Sequence, residues 1–406
     1  MAEAVAVTGV GLLTPAGCDP ATNWKNLCAG RSLAGRNPEF EGLAVDISCD
    51  VADFEPRLEL GPRLARRLDR FAQLGIAAAR RAVADADLRI ADGPPERVGV
   101  VLGVGSNSLR TYVDEFTRLG QNRPGAVSPL ALPRSVPNMV AGEVALDAGA
   151  RGPNFVVASA CASGSNALGV ARALLLGGLC DAVLAGGAES WSRMTAVCFS
   201  QMQALSRRTD RPALASRPFD VDRDGFVLGE GAAVLVLERL GHARARGARS
   251  RALLRGYGSS ADACHPMAPH PEGAGAEQAV RQALADAGCA PDDVGHVNAH
   301  GSSTQLGDAA EARMLRRVFD GSVPPVTATK SVLGHALGAA GAIEAAVTVL
   351  SLERQEVPPT ANLGRQDAGL ELDVVTCAPR RVGFDVALST SFAFGGQNAA
   401  LVFGAD

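Results

Sequence analysis

Cys161 has the clearest chemical setting in the chain. It lies in the stretch 156–166, Val-Val-Ala-Ser-Ala-Cys-Ala-Ser-Gly-Ser-Asn, where an apolar strand runs into a turn of small residues and a helix-prone segment, 167–176, follows at once. A cysteine at such an elbow faces the unpaired amides and positive dipole of a helix N-terminus, which favour a thiolate and can hold a developing oxyanion. Ala160, Ala162 and Gly164 leave room for a substrate to approach, as at other nucleophile elbows. The other eight cysteines, at 18, 28, 49, 180, 198, 264, 289 and 377, are expected to be small buried side chains. None forms a Cys-x-x-Cys pair, so neither a zinc site nor a redox dithiol is expected. The odd total of nine cysteines and their loose spacing point to a reducing compartment rather than a disulfide framework.

Two of the six histidines have a comparable context. His300, in Asn-Ala-His-Gly-Ser-Ser-Thr (298–304), falls just past an apolar strand, where side chains project toward an active-site rim. His335 closes Lys330-Ser-Val-Leu-Gly-His, a loop that also follows an apolar strand. A lone histidine is more often structural, but two at strand ends beside an elbow cysteine form a catalytic constellation. His296 inside its strand and His242 in a polar helix read as structural, and His265 and His270 fall in a Pro-rich loop.

These groups need a scaffold, and short apolar runs alternating with helical patterns supply an α/β layered one. Strands are expected at 4–9, 98–103, 182–186, 231–238, 251–257, 294–299 and 326–328, with a final hairpin pairing 386–389 and 399–403 across Gly395-Gly396. Helices are expected at 67–88, 275–287 and 309–319. The basic segment 239–250 divides an N-terminal half, 1–250, carrying Cys161, from a C-terminal half, 251–406, carrying His300 and His335. Their similar order suggests a duplication. The Ala- and Leu-rich stretch 333–352 mimics a membrane span, but its His335, Glu344 and glycines predict a buried helix preceded by a loop. The N-terminus has no basic n-region of a signal peptide, so a cytoplasmic protein is expected. A composition 47% hydrophobic and 20% charged, with net charge −4 over 406 residues, gives no global attraction to nucleic acid or membrane. Basic runs at 63–67 and 244–249 read as solvated helix faces or as docking sites for an acidic carrier.

The Ala-Cys161-Ala-Ser-Gly, Asn-Ala-His300-Gly-Ser-Ser-Thr, Lys330-Ser-Val-Leu-Gly-His335 and Phe392-Ala-Phe-Gly-Gly-Gln-Asn398 stretches occur in the order and spacing of the β-ketoacyl synthase family. The chain resembles that family throughout, most of all its elongating synthase II members and their type II polyketide relatives. The resemblance implies a thiolase fold, two duplicated βαβαβ halves in an αβαβα arrangement. It also implies an acyltransferase that condenses a cysteine-bound acyl chain with malonyl-carrier. Cys161 would take the acyl chain as a thioester. His300 and His335 would stabilise the enolate left by loss of CO2, as neutral donors aimed at developing charge. The amides of Cys161 and Phe394 would hold the condensation oxyanion, and Lys330 would order the site beside Glu311. Ser302, where threonine is usual, and Thr304 would bind the phosphopantetheine arm, and Phe394 would gate the pocket, with Ala393 replacing the usual glycine. The implied partners are acyl carrier protein and a second subunit, in a homodimer or in a heterodimer with a chain-length-factor-like chain. No cofactor is implied beyond the carrier's own phosphopantetheine.

Ser106, where elongating synthases tend to be bulky and apolar, and Ala131, where large aromatics are common, imply a longer or more polar acyl tunnel, unless bulk elsewhere compensates. Polyketide or polyene intermediates are therefore open alongside saturated chains. A thiolase would need a second cysteine near the C-terminus, and Cys377, followed by Ala-Pro-Arg, does not match. An initiating synthase would pair one histidine with asparagine, and a silent chain-length-factor-like subunit would lack Cys161.

Overall fold

The computed structural model describes residues 4–106 and 109–406. The ten principal strands are β1 (Val5–Leu13), β2 (Val98–Gly103), β3 (Asn154–Val157), β4 (Ala182–Glu189), β5 (Gly231–Arg239), β6 (Ala252–Ala261), β7 (His296–Asn298), β8 (Val326–Thr327), β9 (Val386–Ala393) and β10 (Gln397–Gly404). They lie in the order β8-β7-β9-β10-β6-β1-β5-β4-β2-β3. Read outward from the central β6–β1 pair, the strands of each side follow one pattern: first, fifth, fourth, second and third in chain order. The pairing of β1 with β6 is short, from Val5 opposite Leu254 to Val7 opposite Ala252. Buried on both faces, β1, β4 and β5 read as continuous apolar runs rather than alternating ones.

Helices fill the layers. On the outside of the first half, α1 (Arg70–Asp85) packs on β1, β5 and β4. Between the two sets of strands lie α2 (Ser163–Leu176) and α5 (Ala340–Arg354), which touch each other and strands from both halves. On the far side, α3 (Ala274–Ala287) covers β6 and β10 and packs on α4 (Gln305–Val318). The result is the αβαβα layering of the thiolase fold.

The expected strand at 98–103 forms at those residues, and the terminal hairpin runs from Val386↔Gly404 to Ala393↔Gln397. The helix expected at 67–88 is shorter, because Asp69 begins it and a separate segment, Pro56–Arg67, precedes it. The stretch that mimics a membrane span is α5 with the turns before it, and its residues from Ala340 to Leu352 are buried within the protein. No helix among the described residues is long and apolar enough to cross a membrane.

Candidate active site

The site forms where two matching elbows meet in the middle layer. After β3 the chain makes a single 3-10 turn, Ala160–Ala162, and enters α2. After β8 it makes a helical turn, Lys330–Leu333, then a 3-10 turn, Leu337–Ala339, and enters α5. Each 3-10 turn opens on a non-glycine residue with left-handed backbone, Ala160 at φ 47° and Leu337 at φ 44°. Such strain persists only where surrounding structure dictates it, and it clusters at functional sites. The two turns touch, and glycines permit the approach: a Cβ on Gly164 would lie 2.6 Å from the Ala342 nitrogen.

Cys161 is partly buried and, like Trp191 and Phe199, packs against an apolar cluster that includes Phe226 and Leu337. Here the structure corrects the expectation of a thiolate. Burial pushes the thiol up to about 12, against the opposing pull of the Lys330 ammonium. The group at rest is a thiol. The expectation of eight buried companions also fails in part, since Cys198, Cys264 and Cys377 are exposed.

His300 and His335 come together edge to face, with ring centroids 5.5 Å apart and planes at 84°. Both are buried, and burial together with the nearby Lys330 charge holds both imidazoles well below the ordinary histidine pKa, so both are neutral. Lys330 Nζ donates to the His300 carbonyl oxygen at 2.6 Å and lies 3.3 Å from His300 Nδ1. A lysine ammonium has only protons to offer, so Nδ1 accepts and Nε2 carries the ring proton. His335 is held by its backbone, which donates to Val227 O at 2.8 Å and accepts from Gly229 N at 3.0 Å, and by the edge-on Phe226 ring at 5.1 Å. Its Nδ1 has no hydrogen-bond partner among the described residues.

Lys330 lies within electrostatic reach of Glu311, as expected, but its ion pair is with Glu344 on α5, both side chains being buried. Lys330 is near enough to Glu311 to favour its charged form, but that carboxylate does other work. It accepts from the amides of His300 and Gly301 and from the Thr390 hydroxyl, each at 2.8 Å, and so fixes the turn that carries His300. Glu344 was missed because it sits in an apolar helix; a lone acid in such a helix is itself the signal of a buried partner.

Ser302 and Thr304 face each other, with their hydroxyl oxygens 2.9 Å apart, and Thr304 also caps α4 by accepting from Gly307 N. Asp308 holds the same loop through Ser303 N and Phe219 N, and burial raises its carboxyl to about 7. Phe394 sits in the hairpin turn with its ring centroid 6.1 Å from that of Phe199. The left-handed positions there are Gly395 at φ 84° and Gly396 at φ 68°, while Ala393 ends β9. Ser106 donates its hydroxyl to Glu189, and Ala131 is buried at the start of the short helix Ala131–Ser135. His296 is enclosed in β7 beside Pro325 O, and His242 pairs with Glu238.

This layered fold, with a cysteine elbow at its centre, defines the thiolase-like class of acyl-transferring enzymes. Residues 2–243 match the β-ketoacyl synthase N-terminal domain and residues 251–364 its C-terminal domain. The chain is 42% identical to a 3-oxoacyl-[acyl-carrier-protein] synthase 2 of Vibrio harveyi over 98% of each chain. Among solved structures it is similar to the ishigamide ketosynthase/chain length factor, with 32% identity and a TM-score of 0.94 over all of both chains. It is also similar to a type II polyketide ketosynthase solved with its acyl-carrier protein and bound to the hexaketide, with 28% identity and a TM-score of 0.92 over all of both chains. The chain belongs to the β-ketoacyl synthase family.

Proposed function

We propose that this protein elongates carrier-bound acyl chains by decarboxylative condensation, with Cys161 as nucleophile and His300 and His335 as the two donors to the malonyl enolate. In the first half-reaction the Cys161 sulfur attacks the thioester of an acyl-carrier. The thiol proton ends on the departing pantetheine sulfur, which balances the exchange. A thiol at about 12 suits an acceptor stage that moves a proton rather than one that stores a thiolate. In the second, malonyl-carrier loses CO2 and its electron pair enters the thioester as an enolate, whose oxygen faces Nε2 of His300 and the His335 ring. The enolate carbon attacks the acyl-Cys161 carbonyl, 3-oxoacyl-carrier leaves, and Cys161 regains a proton from solvent.

The observation that carries this reading is the Lys330 ammonium against His300 Nδ1, which commits a neutral ring to donate from Nε2. Acyl transfer by wild type and Cys161→Ala, with malonyl-carrier decarboxylation followed in parallel, tests it. The variant is expected to lose acyl-enzyme formation and retain decarboxylation; acyl transfer retained without Cys161 overturns the mechanism.

The partners of this reading are acyl carrier protein and a second subunit. Edge strand β3 leaves Asn154 and Phe155 exposed, an open strand edge suited to a homodimer or to a chain-length-factor-like partner. Ser302 and Thr304 would receive the phosphopantetheine, and Phe394 would open the pocket.

A further inference from the structure

Glu189, the last residue of β4, is buried beside the site and serves none of the steps above. Its carboxylate collects four donors. The amides of Gly105 at 2.7 Å, Ser106 at 3.0 Å and Gly338 at 3.2 Å all reach Oε2, and the Ser106 hydroxyl reaches Oε1 at 3.0 Å. Gly105 and Ser106 continue from β2 in the first half, whereas Gly338 is the middle residue of the second elbow. The contact is too close for side chains: a Cβ on Gly338 would lie 2.1 Å from Gly105 N. An internal carboxylate thus binds amides from both halves.

This clamp adjoins the nucleophile. The second elbow packs on the turn carrying Cys161, and the charge of Glu189 acts on the Cys161 thiol. The chain beyond Glu189 leads to Trp191, which joins Phe199, Phe226 and Leu337 in the apolar cluster around Cys161. Ser106, the position that suggested a roomier tunnel, has its hydroxyl proton committed to Glu189.

We infer that Glu189 is a positioning residue for the acyl pocket: by tying Gly105 and Ser106 to Gly338 it fixes the wall beside Cys161 and sets the length of acyl chain the site accepts. This inference rests on the acyl-Cys161 reading above.

The test compares loading of Cys161 from acetyl- and palmitoyl-carrier by intact-protein mass spectrometry in wild type, Glu189→Gln, Ser106→Ala and Ser106→Val. Glu189→Gln sets an amide NH2 or a single oxygen against donors that need a carboxylate, and is expected to lower the palmitoyl-to-acetyl loading ratio by about tenfold. Ser106→Ala removes one donor of four and is expected to lower the ratio by about twofold. An unchanged ratio in folded Glu189→Gln, or an equal loss with both donors, overturns the inference. If Glu189→Gln does not fold, an unchanged ratio in Ser106→Val overturns it. Absence of any Cys161 adduct in wild type sinks the condensing-enzyme reading along with it, whereas normal wild-type loading with unchanged ratios sinks only the clamp.

Discussion

Lys330→Met separates what the buried ammonium does for the fold from what it does for the chemistry. Lys330 donates to the His300 carbonyl, contacts His300 Nδ1 and pairs with Glu344, in a pocket that excludes water. A hydrogen bond to a charged group is worth about 1.5–3 kcal/mol, and breaking a buried ion pair costs about 3–5 kcal/mol when the survivor stays charged. Glu344 has a way out, because burial already raises its carboxyl pKa and the loss of Lys330 raises it further. It takes up a proton, so the expected loss of stability is about 3 kcal/mol, at the lower end of that range, measured from denaturant midpoints.

The chemical effect is larger and has a distinct signature. Without a donor at Nδ1 the two neutral tautomers of His300 compete, and the site loses one oriented donor to the enolate. Removing such a donor costs about 10²–10³ in rate, so malonyl-carrier decarboxylation should fall by about a hundredfold. Cys161 loading should fall by less than about tenfold, since Lys330 acts on the thiol only through its charge. The pH profile supplies the sign. Lys330 depresses the pKa of both His300 and His335, so its removal moves both upward, toward the ordinary histidine value. Protonation then removes the neutral rings at a higher pH, and the acid limb of decarboxylation moves up. Decarboxylation left intact, or an acid limb that stays put or moves down, would refute the tautomer argument.

With Cys161 raised to about 12, its thiolate is on the order of 10⁻⁵ of the thiol at pH 7. Alkylation by iodoacetamide, in a background where exposed Cys198, Cys264 and Cys377 are serine, should therefore rise about tenfold per pH unit from about pH 7 to 10. A plateau below about pH 9 would restore the thiolate picture. Glu311→Ala strips the acceptor from the Gly301 amide and the Thr390 hydroxyl, at about 1–3 kcal/mol each, while the His300 amide keeps Thr390 Oγ1, and should cost at least about 2 kcal/mol by urea unfolding. A loss under about 1 kcal/mol would show that the His300 turn is held by other contacts.

The parts of the site legible in the sequence are those whose information is local. A strand, a run of small residues and a helix in direct succession announce the Cys161 elbow, and the strand ends announce His300 and His335. What escaped depends on residues far apart along the chain. The thiolate expectation came from the helix terminus alone, whereas the titration of Cys161 is governed by an apolar cluster drawn from segments as distant as Phe40, Leu205 and Leu337. The Lys330–Glu344 ion pair is not legible in the sequence, because Glu344 lies more than a turn into an apolar helix whose facing side only the packing reveals. One signal was available: lysine occurs only at 25 and 330 in a chain with 39 basic residues. A lysine kept among so many arginines marks a place that suits a compact ammonium rather than a planar fork.

The matching elbows carry the argument one step further. Gly338 stands in the second 3-10 turn where Cys161 stands in the first, each one residue after a left-handed non-glycine residue. The Gly338 amide binds an oxyanion, the carboxylate of Glu189. The same turn is repeated at Cys161, and under the proposed acyl transfer to that thiol its amide is the one placed to meet the oxyanion, as Gly338 N meets Glu189. The filled copy of the turn is thus the internal reason to propose the Cys161 amide as a donor to the condensation oxyanion.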